Sequence, residues 1–156
     1  MKVEFINPFV TAAYKVLEQE AKTSVRRGEL SIEKTAVTSE DVTILIGIVG
    51  GVRGMVLYGM KEKTAKAIAS AMLNQQVLLF DEMAESALAE MGNIISGLAT
   101  IDLEKAGYIC QLSPPTVVYG RNTMISTVKI ARLIVPVHTD HGTITIHVAL
   151  SETGKG

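Results

Sequence analysis

A chain of 156 residues is near the modal size of one domain and long enough to bury a real core. Its apolar fraction of 47%, charged fraction of 20% and net charge of -1 are those of an ordinary globular protein. No basic cluster beyond Arg26-Arg27 is present, so nucleic acid is not an expected partner. The single cysteine, Cys110, excludes an internal disulfide and fits a reducing compartment. Glu4 and Asn7-Pro8 stand where a signal peptide would be apolar, and the most apolar run, Val42 to Val52, is too short to span a bilayer. The expectation is a cytoplasmic protein with no membrane partner.

Taken in order, Asn7-Pro8 reads as an N-cap followed by proline at the first helical position, with a helix running to about Lys22. Ala21 to Gly28 reads as a polar, basic exit, and Glu29 to Ala36 as a short ragged strand. Val42 to Val49 and Gly54 to Met60 are rich in β-branched residues and predict two strands joined by a hairpin at Gly50-Gly51. Those glycines lead into a strand and are not followed by Lys-Ser or Lys-Thr, so they do not make a phosphate loop. Lys61 to Leu73 is a second helix with Ala65, Ile68, Ala69 and Met72 inward.

Asp81 to Gly107 then reads as one long amphipathic helix closed by Gly107. Glu82, Ser86, Glu90, Asn93, Gly97 and Glu104 recur at offsets of four, four, three, four and seven, which stacks them on one side. The periodicity assigns Met91, Ile94, Leu98 and Ile101 to the buried side, with Ala84, Ala87 and Ala99. Gly92 and Gly97 each cost about 1 kcal/mol against alanine in a helix interior. Helix propensity given up in this way points to a thin polar surface open to approach.

Beyond it, Tyr108 to Gly120 is extended but broken at Ser113-Pro114-Pro115, which no central strand could run through. Arg121-Asn122 fall in the next turn, where Arg121 would either touch a partner or cap a loop. Met124 to Val135 and Thr143 to Leu150 are two further strands, separated by a turn over Pro136 to Gly142. The fold class is therefore α+β. A mostly antiparallel sheet of about six strands carries helices packed on it, in two similar helix-plus-three-strand halves and one domain over 1–156.

Three sets of residues invite a chemical reading. His138, His141 and His147 do not form a recognised zinc pattern, and no metal site is expected. Met55, Met60, Met72, Met83 and Met91 sit in apolar patterns and read as core filler. Ser86-x3-Glu90-x2-Asn93 has no His, Cys or Lys beside it and so offers no nucleophile. An acid and an amide on a rigid helix could orient a water molecule if something else supplied the electrophile.

The run ESALAEMGNIISG, with Ser113-Pro114-Pro115-Thr116-Val117-Val118 and Gly120-Arg121 downstream, resembles CheX of the CheC/CheX/FliY phosphatases of bacterial chemotaxis. That family hydrolyses the aspartyl phosphate of a CheY-type response regulator. The resemblance implies that Asn93 orients the attacking water and Glu90 pairs with a lysine of the partner. It implies close approach of the partner at Ser86, Gly92 and Gly97, with Pro114 and Pro115 completing the partner-binding set. No cofactor belongs to the chain itself, because Mg²⁺ comes with the phosphorylated partner, and a homodimer is implied. The other reading is a non-enzymatic adaptor that holds a response regulator or flagellar-switch component on the same helix. Some relatives carry the signature twice. Glu4-x2-Asn7 repeats the spacing here, but Pro8 places Glu4 outside the helix, so one site per chain is expected.

Overall fold

The computed structural model describes residues 2–34, 37–120, 124–126 and 131–153. After a 3-10 turn at Val3–Phe5 come α1 (Asn7–Glu20), β1 (Val25–Arg27), β2 (Ser31–Glu33), β3 (Val37–Ser39), β4 (Val42–Gly50) and β5 (Val52–Met60). They are followed by α2 (Glu62–Leu73), α3 (Glu82–Lys105), β6 (Cys110–Leu112), β7 (Thr116–Tyr119), β8 (Met124–Ser126), β9 (Arg132–Thr139) and β10 (Gly142–Glu152). The class is α+β, as expected. The strand count is higher: eight strands form one open antiparallel sheet in the order β1-β9-β10-β5-β4-β6, with β2 also on β9 and β7 also on β4. β3 and β8 pair separately as a ribbon.

The two halves are not side by side. They interleave. β4–β5 and β9–β10 are hairpins, and β5 and β10 pair at the centre of the sheet. β1 and β2 of the first half lie on β9 of the second, while β6 and β7 of the second lie on β4 of the first. Even the irregularities repeat. Gly28 donates to the Pro136 carbonyl at 2.7 Å in the break between β1 and β2, and Ser113 donates to the Gly47 carbonyl at 2.9 Å between β6 and β7. Each break carries one extra residue on the outer strand, a β-bulge.

That repeat explains three differences from the sequence reading. Val25–Arg27, read as a basic exit, is an edge strand on β9. The strand expected over Met124 to Val135 is two strands, with residues 127–130, like Ala36, Arg121 and Asn122, outside the described set. Pro136 is inside β9, not in a turn; the turn is at Asp140-His141. A strand residue points its N–H and C=O to the same side. The Pro136 carbonyl meets Gly28, so its missing N–H falls in the bulge, where the ladder needs no donor.

The core lies between one sheet face and the helices. Ile44, Ile46, Ile48, Val56, Tyr58, Ile144, Ile146, Val148 and Leu150 cluster with Phe9, Ala13, Val16 and Leu17 of α1 and with Met91, Ile95 and Ala99 of α3. α2 packs on the first turns of α3 through Ala69, Ala84 and Ala87. Asn7 is not the cap of α1. Ile6 holds that position, and the Asn7 Oδ1 accepts from Arg27 Nη1 at 3.3 Å.

The three histidines have separate surroundings. His138 Nδ1 bonds Thr143 Oγ1 and His141 Nε2 bonds the Ala21 carbonyl, both at 2.9 Å. His147 is buried on the sheet face away from the α1–α3 core, with neither ring nitrogen hydrogen-bonded among the described residues. Burial, reinforced by the Arg132 charge, lowers its pKa from 6.5 to about 4. The unfolded chain takes up a proton as pH falls through 6.5, while the folded chain resists until about 4. The protonation-linked cost of His147 is therefore absent above pH 7 and grows progressively between pH 6.5 and 4, to about 3 kcal/mol in full. His147→Leu is expected to flatten the dependence of unfolding free energy on pH across that window. Parallel curves for the two proteins would contradict this.

Candidate functional site on the third helix

α3 is specified locally at both ends. Asp81 caps it, its Oδ1 accepting from Ala84 N at 3.0 Å, and Glu82 and Glu85 add negative charge to the first turn. At the other end Gly107 takes φ +99, a left-handed conformation that favours glycine. Tyr108 N then reaches Leu103 O and Gly107 N reaches Glu104 O, both at 2.9 Å, which closes the helix in a Schellman motif.

Its roll on the sheet is set by the buried seam Ala84, Leu88, Met91, Gly92, Ile95, Ser96, Ala99 and Leu103. This seam is rotated from the one read off the sequence. Ile94 and Leu98 are half-buried flanks, and Ile101 is half exposed. Gly92 is part of the seam and no part of the open surface, because a Cβ there would lie 2.8 Å from Ile44 Cγ2. Glycine lets the helix axis settle closely on β4. Ser96 adds a directional lock, its hydroxyl bonding that of Tyr58 at 2.7 Å with both side chains buried. Burial holds the Tyr58 hydroxyl's pKa well above its usual value, so it stays protonated and able to donate. Periodicity alone gave no sign of this pair.

The opposite face carries the residues singled out in the sequence. Ser86, Glu90 and Asn93 are exposed on successive turns, Gly97 is half-buried, and a Cβ on Gly97 would meet nothing within 4 Å. Among the described residues no hydrogen bond or ion pair ties Glu90 or Asn93 down. Pro114 is exposed and Pro115 half-buried, both in the bulge between β6 and β7. Ser113 pins that bulge by accepting from Gly47 N through its hydroxyl at 2.8 Å. Ile46, opposite the two prolines, is one of the side chains on which Gly92 rests. The helix and the proline bulge are thus braced on the same stretch of β4.

The repeat also settles Glu4-x2-Asn7. Matching Ala21 to Ala106 and Val25–Arg27 to Cys110–Leu112 places Phe5 and Pro8 where α3 has Glu90 and Asn93. Phe5 is buried and proline offers no amide side chain. The spacing in the first half is out of register with that of the second.

Structures with this fold are known. A crystal structure of a chemotaxis protein CheX from Desulfovibrio desulfuricans superposes with a TM-score of 0.88 at 30% identity, covering 97% of this chain and all of the other. CheX of Borrelia burgdorferi, solved as a CheX-CheY-BeF3-Mg²⁺ complex, gives 0.84 at 28% identity, again covering 97% of this chain and all of the other. In sequence, the CheY-P phosphatase CheX of Thermotoga maritima is 29% identical over 128 residues, 81% of this chain and 83% of that protein. The family model described as chemotaxis phosphatase CheX matches residues 42–138. This chain belongs to the CheX family.

Proposed function

We propose that this protein hydrolyses the aspartyl phosphate of a CheY-type response regulator, as one cytoplasmic domain over 1–156 that works as a homodimer. The observation that carries this reading is the Glu90–Asn93 pair: an acid and an amide, exposed on a rigid helix, whose side chains no other described residue engages. α3 inserts beside the phosphorylated aspartate. The Asn93 amide orients a water molecule for attack on phosphorus, opposite the leaving carboxylate. The new P–O bond forms from water, the P–O bond to aspartate breaks, and phosphate leaves with the water-derived proton passing to it or to solvent. Glu90 pairs with a lysine of the regulator and sets the register of docking. Ser86 and Gly97 keep the surface low enough for backbone approach, and Pro114 and Pro115 abut the partner. Mg²⁺ belongs to the regulator. Support also comes from the relatives, one of them named for CheY-P hydrolysis and another crystallised with CheY and Mg²⁺.

The test is the decay of aspartyl phosphate on purified response regulators, with and without this protein. Faster decay establishes the activity; binding without acceleration would make the chain an adaptor. Within that assay Glu90→Lys is expected to weaken regulator binding at least tenfold at low salt, through like-charge repulsion. The gap should narrow as salt is raised and the Debye length falls. An unchanged affinity at low salt would remove Glu90 from the docking role.

A further inference from the structure

The exposed face of α3 is not polar throughout. Met83 and Ile101, both assigned inward by sequence pattern, are 55% and 50% exposed. At about 100° per residue, Met83, Glu90, Gly97 and Ile101 lie within about 40° of one line along the helix. With a rise of 1.5 Å per residue, Met83 and Ile101 are about 27 Å apart, and Asn93 lies between them. A single exposed apolar side chain needs no explanation, but two placed in line with a candidate site, at its opposite ends, do.

Both ends are extended by other elements. Before the N-cap, Leu78 and Leu79 are the most exposed of the large apolar side chains among the described residues, at 71% and 76%. The segment that carries them is tied down. Lys66 Nζ donates to Leu78 O at 3.3 Å, Val77 N donates to Ser70 Oγ at 2.9 Å, and Phe80 stacks on Tyr119 at 4.8 Å between centroids. At the C-terminal end, Ile101 and Leu98 line a cleft of about 300 Å³ between α1 and α3, rimmed by Lys15 and Lys105.

We infer that Met83 with Leu78 and Leu79, and Ile101 with the α1–α3 cleft, are two apolar anchors that seat the response regulator astride Glu90 and Asn93. This rests on the function proposed above and adds what selects the partner. Charge distinguishes the occupant. Asp81, Glu82, Glu90, Asp102 and Glu104 are exposed along α3, with Lys105 at its end. A second copy meeting this face about a twofold axis would set acid against acid. A regulator that brings a lysine and Mg²⁺ to Asn93 meets the same face with opposite charge. The spacing also fits, since a partner's half of a standard interface, about 800 Å², is roughly 30 Å across. The anchors supply affinity and register at a distance from the chemistry, as apolar contacts do in other interfaces.

The experiment is a rate measurement against regulator concentration for the wild type, Met83→Ser, Ile101→Ser, the double variant and Val49→Ser. Val49 is 60% exposed on β4, away from α3, and serves as the control. Each anchor variant is expected to raise KM about tenfold and the double variant about a hundredfold, with kcat and the thermal midpoint unchanged and Val49→Ser like wild type. An unchanged KM overturns the inference, as does a loss confined to kcat. Conversion of a dimer to a monomer by either anchor variant, seen by sedimentation, would assign the face to a second copy instead. If the wild type does not speed decay, the proposed function fails. Regulator binding by calorimetry, wild type against the double variant, then decides the anchors, and equal or absent binding rejects them.

Discussion

Asn93→Ala is expected to bind the phosphorylated regulator about as well as the wild-type protein and to hydrolyse it at least about 10²-fold more slowly. Misplacing a reacting group by an ångström can cost that much, and the substitution removes altogether the amide proposed to position the water. The variant is a clean probe because Asn93 is exposed and its side chain makes no hydrogen bond among the described residues, so truncation leaves none of their buried groups unsatisfied. Alanine is also the better helix former, by about 0.5 kcal/mol, so the thermal midpoint should stay level or rise slightly. Single-turnover decay with saturating protein isolates the hydrolytic step from docking. Affinity lost in parallel with rate would make Asn93 a contact residue and leave the water unassigned.

A second large effect concerns the roll of α3. Ile95→Asp is expected to abolish cooperative unfolding, whereas Leu98→Asp should retain it with a loss of about 1–2 kcal/mol. Ile95 is 1% exposed in the main core, where a carboxylate would be unpaired and cut off from water. Several kcal/mol lost from a total of about 5–15 leaves little folded protein. Leu98 is half-buried beside the α1–α3 cleft, whose rim carries Lys15 and Lys105, so an aspartate there keeps access to water and to cations. Chemical denaturation of the two variants side by side measures this. A cooperative, stable Ile95→Asp would mean that the helix is rolled differently on the sheet.

That contrast shows where the sequence stops being sufficient. A hydrophobic stripe defines a side of the helix to within several tens of degrees. α3, however, faces β4 on one flank and α1 on another, and which apolar residues become seam and which become rim depends on both neighbours. Leu98 and Ile101 read as inward because they are apolar; α1 stands off far enough to leave a cleft there. Gly92 shows the reverse. Read as part of an open surface, it is the contact that seats α3 on Ile44 and Ile46.

What the chain specifies by itself is what neighbouring residues can decide among themselves. The capped helix from Asp81 to Gly107, the outward line of Ser86, Glu90, Asn93 and Gly97, the β4–β5 hairpin and the interruption at Pro114-Pro115 all follow from local periodicity, caps and backbone restriction. The tertiary structure decided the interleaving of the halves, the place of Pro136 inside a strand, the Tyr58–Ser96 lock and the burial of His147. Each depends on a partner far away in the chain. The three-residue β1 has too few residues to show a period and becomes a strand only because β9 offers it a ladder. Local signals reach about one helical turn or one strand pair; the pairing of distant strands, and the side chains it buries or leaves out, exists only once the sheet is assembled.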